Sequence, residues 1–128
     1  MAFTINPKSN SVSISIANTN LDGTGTITTL FTAVNAPEGS VLNAVRIQAT
    51  GDVPLGMIRL FIRPNAGSWT LVKEIPVPAT TRSAQYTAYA ETIAPECFLA
   101  SQYEIGVSTE TATTYKVTAF GYDITGFI

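Results

Sequence analysis

Nine acidic residues, a single cysteine and no histidine limit what this 128-residue chain can do chemically. A Ser-His-Asp or Cys-His relay needs an imidazole to carry the proton, and there is none. Zinc sites built on His or on several Cys fall away for the same reason. Cys97 follows Glu96 and precedes Phe98-Leu99-Ala100, with no cation beside it. A nucleophilic thiolate needs a cationic or imidazole neighbour, so Cys97 reads as a free core thiol, and without a second cysteine it forms no internal disulfide. Paired carboxylates are the remaining option. Glu91 and Glu96 are close in sequence, and Glu104 and Glu110 flank one expected strand. Glycosidase chemistry needs two carboxyl groups within about 10 Å of each other, but acids at such positions are ordinarily solvated, and no catalytic residue is assigned. A calcium loop wants several acidic ligands, whereas Asp22 is the lone acid of Asn18-Thr19-Asn20-Leu21-Asp22-Gly23-Thr24-Gly25. Gly23-Thr24-Gly25 opens a strand instead of a helix and so offers a phosphate no helix N-terminus. Neither metal nor cofactor is expected.

Binding is a better prospect than catalysis. Charged residues make up 12% of the chain, about half the usual quarter. A surface built from Thr, Ser, Asn and Gln is cheaper to desolvate against another protein. The net charge of −2 leaves no basic patch for phosphates, so nucleic acid is not an expected partner. No apolar run is long enough to span a bilayer, and Met1-Ala2-Phe3-Thr4 lacks the basic start and apolar run of a signal peptide. The expectation is synthesis in a cytosol and no membrane partner. Tyr86, Tyr89, Tyr103, Tyr115, Tyr122 and Trp69 could stack on sugar rings, with Trp69, at the edge of a hairpin, the best single candidate.

The elements that must position these groups are strands. Ser11–Ala17 alternates, with Val12, Ile14 and Ile16 on one face and serines on the other, which is a half-buried strand. Further strands are expected at Thr26–Thr32, at Val41–Thr50 with Val45, Ile47 and Ala49 inward, at Gly56–Arg63, at Trp69–Val77, at Gln85–Ile93, at Tyr103–Thr109 and at Tyr115–Ile124. Gln85–Ile93 also fits a short helix, but its β-branched threonines and its β neighbours favour a strand. In Gly56–Arg63, Ile58, Leu60 and Ile62 fill one face while Met57, Arg59, Phe61 and Arg63 share the other. Two large apolar groups between arginines imply a cover, supplied by a loop of the same chain or by a partner subunit. In Trp69–Val77, Trp69, Leu71, Lys73 and Ile75 are expected on one side, and Pro76 and Pro78 close the hairpin. The expected fold is all-β: a two-sheet antiparallel sandwich, jelly-roll-like, of about eight strands, spanning 11–128 after an arm or edge segment at 1–10. A small barrel, or seven strands with a helical turn near 86–93, are the alternatives.

Several stretches carry a resemblance: Ala17 to Thr26, Val45-Arg46-Ile47-Gln48-Ala49-Thr50-Gly51, Met57-Ile58-Arg59-Leu60-Phe61-Ile62, Glu74-Ile75-Pro76-Val77 and Ala119-Phe120-Gly121-Tyr122-Asp123. Together they resemble small virion proteins of tailed bacteriophages, of the kind that decorate or cement capsids. The resemblance implies a non-enzymatic virion protein that binds the outer face of a shell of major capsid protein, often as a homotrimer. The residues expected to form its contacts are Met57, Arg59, Phe61, Arg63 and Trp69, with the apolar C-terminal pair Phe127 and Ile128. The alternative is a carbohydrate- or receptor-binding module of a phage tail, with Trp69 as its platform.

Overall fold

Alternation of apolar and polar residues builds nearly every element of the protein, because a period of two places one side of a strand in the core and the other in water. The structure, a computed structural model, describes residues 4–95 and 97–126. The described residues form nine strands and no helix: β1 (Thr4–Ile14), β2 (Thr28–Thr32), β3 (Ser40–Ala49), β4 (Gly56–Arg63), β5 (Thr70–Val77), β6 (Ala90–Ile93), β7 (Cys97–Leu99), β8 (Glu104–Thr109) and β9 (Tyr115–Thr125). One sheet runs β1-β9-β3-β6, with β7 paired to the other end of β3, and the second runs β2-β8-β4-β5. All the strand pairs are antiparallel. The sheets form a sandwich whose core includes Leu42, Val45, Ile47, Val117 and Ala119 from the first, and Ile58, Leu60, Ile75, Ile105 and Val107 from the second.

Several expectations need correction. The strand expected from Ser11 starts at Thr4 and pairs with β9 along its whole length, so the lead segment from Thr4 is edge strand continuous with the sandwich. The same strand stops at Ile14, and Ile16, expected inside, is exposed. The strand expected over Gln85–Ile93 keeps only Ala90–Ile93, and Cys97–Leu99 is a strand that the pattern did not announce. In β5 a bulge follows Leu71: Lys73 faces Leu60, while Leu71 faces Phe61. Because one extra residue reverses the alternation, Leu71 shares the face of Phe61 and not that of Ile75.

The sheet edges at β2, β5, β6 and β7 are blunted, while β1 runs as a long edge from Thr4 to Ile14. Two backbone carbonyls of β2 are occupied by side chains of β1: Asn10 Nδ2 donates to Leu30 O at 2.8 Å, and Lys8 Nζ donates to Thr32 O. On the opposite side β5 carries its bulge, Lys73, Glu74 and Pro76, and β6 and β7 are short. Bulges, charges, prolines and short strands all discourage a further strand from pairing.

Three buried hydroxyls, those of Tyr89, Ser108 and Tyr115, have no hydrogen-bond partner among the described residues, and Tyr89 is the one with the largest consequence. Tyr89 packs edge-on to Tyr115, centroids 6.4 Å apart. Burial above all, then the charge of Glu91 and the neighbouring Tyr115, pushes its pKa up to about 12. An unfolded tyrosine ionises near 10, so the folded state holds this proton more tightly. The stability this gives is complete below about pH 10 and drains away as pH rises from about 10 to about 12. Tyr89→Phe is expected to hold or raise stability at neutral pH, by about 1 kcal/mol, and to flatten the loss in that alkaline window. Urea unfolding of both proteins across the window measures it.

Candidate functional site

The outer face of β4 and β8 is closed by the chain itself. Asn18 organises the loop that covers it. Its Nδ2 donates to Thr24 O and to Thr26 O, each at 3.0 Å, its Oδ1 accepts from Asn20 N at 3.0 Å, and its own N–H reaches Thr109 O at 2.8 Å. Four bonds to one buried side chain and its backbone fold the polar stretch 18–26 back against β8. Gly25, at a φ of 83°, is needed here: a Cβ would lie 2.6 Å from the Asn18 amide. Asp22 is engaged locally, accepting from Thr24 N at 3.1 Å and Thr24 Oγ1 at 2.6 Å, and these bonds hold its carboxyl below the usual range.

Beneath the loop lies a row of ion pairs and apolar groups. Arg59 is 7% exposed; its Nε is 3.1 Å from Glu74 Oε2, and its Nη1 meets Glu110 Oε2. Burial works against its charge, but the hydrogen bonds it donates to Glu110 and Glu74 outweigh that and raise its pKa. Arg63 Nε pairs with Glu104 Oε1 at 2.8 Å, and its Cζ lies 4.2 Å from the centre of the Trp69 ring. Phe61, between them, is 0% exposed. Its partner across the ladder is Gly106, over which Ile27 and Trp69 sit so closely that a Cβ there would be 2.6 Å from one and 2.8 Å from the other. The choice left open by the sequence, a loop or a partner as cover, falls to the loop.

The residues expected to make outward contacts therefore divide. Arg59 and Phe61 are enclosed by their own chain and present no free surface. Arg63 and Trp69 are half-buried against one another, so Trp69 is a clasp for the loop with one ring face taken by a guanidinium. Met57 is half-buried near the start of β4. Phe127 and Ile128 lie outside the described residues. Of the carboxylate pairs considered for hydrolysis, Glu104 and Glu110 are each bound to an arginine, and Glu96 lies outside the described residues. Cys97 lines a cleft between the sheets, and burial pushes its thiol up, away from the reactive thiolate.

The other sheet leaves its outer face bare at one end. Registers put Ile5 and Pro7 of β1 beside Ile124 and Tyr122 of β9, and put Val41 of β3 between Tyr122 and Phe98 of β7. Phe120 follows, opposite Ser9 and Ala44. Directly paired residues share a face, so these side chains form one patch. Phe98 is 83% exposed and Ile5 61%, while Val41 is buried beneath them. Toward the other end the same face turns polar, through Ser11, Thr118, Arg46 and Lys116. No protein-family model matches the chain, and no curated protein matches it.

Alternation along Tyr115–Ile124 puts Phe120 and Tyr122 on one face, but nothing in the sequence adds Phe98 or Ile5 to them. Phe98 sits in a strand too short to show a period, and Ile5 in a segment read only as an arm or edge. The registers that join them connect positions remote in sequence.

Proposed function

We propose that this chain is a non-enzymatic structural protein of a tailed-bacteriophage virion, made in the host cytoplasm, that decorates the capsid by seating its five-stranded sheet on the major capsid shell. The observation that carries the docking is the bare apolar patch around Phe98, Phe120 and Ile5 on a chain with few charges. Contiguous exposed apolar groups of this kind mark interaction surfaces. The blunted edges at β2, β5, β6 and β7 disfavour strand addition there. The virion assignment is supported by the resemblance of the stretches between Ala17 and Asp123. We also read the strand orders β1-β9-β3-β6 and β2-β8-β4-β5 as jelly-roll connectivity, an architecture shared by viral capsid and lectin domains.

Decoration needs no chemistry. A ligand that binds only the assembled lattice stabilises it by mass action, and a trimer spanning adjacent capsomers adds avidity. Phe98→Asp is expected to weaken binding to the shell by roughly a hundredfold, the effect of losing a central aromatic anchor, while the exposed position leaves folding intact. Co-sedimentation with undecorated capsids of the parent virus, beside sedimentation velocity of the free protein, reads both shell binding and self-association. Undiminished binding of both Phe98→Asp and Phe120→Asp would remove this face from the mechanism.

A further inference from the structure

The segment between Thr80 and Tyr89 leaves the sandwich and returns to it between two fixed points. At one end Val53 and Thr80 exchange both backbone hydrogen bonds, each 2.9 Å; at the other, Ala49 N donates to Tyr89 O at 2.9 Å. Between them the turn is tied internally. Ser83 N donates to Tyr86 O at 2.9 Å, and Ser83 Oγ accepts from the N–H groups of Gln85 and Tyr86, each at 3.2 Å. Arg82 N donates to Asp52 Oδ1 at 2.8 Å. Under this turn, against Ala49 and Thr50, lies an open hollow of about 570 Å³, within the size range of small-molecule sites.

The lining has a specific chemistry. Tyr86 is 70% exposed and offers an aromatic surface, whereas the Trp69 ring has one face occupied by Arg63. Arg82 lines the hollow with its backbone tied and its guanidinium in no ion pair among the described residues. Thr50, Ser83, Gln85 and Thr87 supply hydroxyl and amide groups around them. An aromatic face suits the C–H side of a pyranose, hydroxyls and amides suit its ring substituents, and a guanidinium takes a carboxylate in a forked pair. A single cation is too little for a polyphosphate, and the polar rim is wrong for a hydrocarbon.

We propose that this hollow is a binding site for an acidic sugar, a hexuronic acid residue of a polysaccharide, stacked on Tyr86 with its carboxylate on Arg82. The site is separate from the apolar patch of the five-stranded sheet and does not depend on it.

The test uses the full chain with trigalacturonate, its neutral counterpart galactotriose, and acetate as probes, read by ligand saturation transfer and by amide shifts of the protein. Trigalacturonate is expected to bind saturably, with a dissociation constant on the order of 1 mM, and galactotriose about tenfold more weakly. Arg82→Gln should erase the difference between the two sugars, Tyr86→Ala should remove binding of both, and Phe98→Ala should change neither. Amide shifts should cluster at residues 49–52 and 82–88. Absence of trigalacturonate binding overturns the proposal, as do shifts centred elsewhere or binding unaltered in Tyr86→Ala. Acetate competing on equal terms would reduce the hollow to a bare anion site and likewise overturn it. Should Tyr86→Ala lose its fold, the shift map of the parent protein decides alone.

Discussion

Phe61→Ala is expected to lower the free energy of unfolding by about 3–5 kcal/mol, as burial of an entire ring and the cavity left by its loss require. The side chain is fully enclosed although it lies on the sheet's outer side, among Arg59, Arg63, Leu71 and Gly106. The arginines on either side are fixed by ion pairs to Glu74, Glu110 and Glu104, and the loop above is tied through Asn18, so little around the site can collapse into the void. Phe98→Ala, by contrast, removes a ring that is already wet and should change stability by about 0.5 kcal/mol or less. Urea denaturation of the two variants, compared at a common slope, checks the contrast. Equal, small losses would mean that the loop does not cover Phe61 in solution, and the face would again be open to a partner. Phe61→Asp is consequently an unfolding mutation and no test of docking.

That contrast shows where the sequence was legible and where it was not. β4 was readable to its ends, Gly56 and Arg63, because Ile58, Leu60 and Ile62 alternate without interruption. β3 and β9 were readable to within a residue or so for the same reason. Alternation reports that a face is covered, but not by what. Phe61 and Phe98 are both phenylalanines flanked by strand-forming residues, and one is sealed while the other is bare. The difference lies in a loop thirty or more positions away in the chain, folded over by an asparagine whose amide could equally have faced water. Polar stretches such as 18–26 give no period, so their course is fixed by hydrogen bonds that only the folded chain reveals. The reversal at Leu71 has the same character, since one bulged residue in β5 changes every face before it. The hollow under Ser83–Tyr86 was hidden because a strand was expected there, and Tyr86 and Ala90 fit a period of two by coincidence of composition.

Removing both acids from Arg59 is expected to cost more than removing Arg59 itself. The guanidinium is the enclosed member: its side chain is 8% exposed, against 42% for Glu74 and 33% for Glu110. In Arg59→Met the two carboxylates turn toward water they already reach, and an apolar chain of similar length fills the space. The expected loss is about 1 kcal/mol. In Glu74→Ala with Glu110→Ala the positive charge stays under the loop, with the Asn18 carbonyl, 3.5 Å from Nη1, as its remaining acceptor. An uncompensated buried charge of this kind costs about 3–5 kcal/mol. Adding Arg59→Met to the double variant should then restore most of the loss, because the unpaired charge is removed with it. Such recovery is non-additive in a direction that separate weak surface contacts cannot produce. If the three substitutions add, or if Arg59→Met is the worst of them, the guanidinium is solvated and the loop does not seal it. Since Arg59 and Phe61 lie under the same cover, that result would also predict a mild Phe61→Ala, and the two measurements stand or fall together.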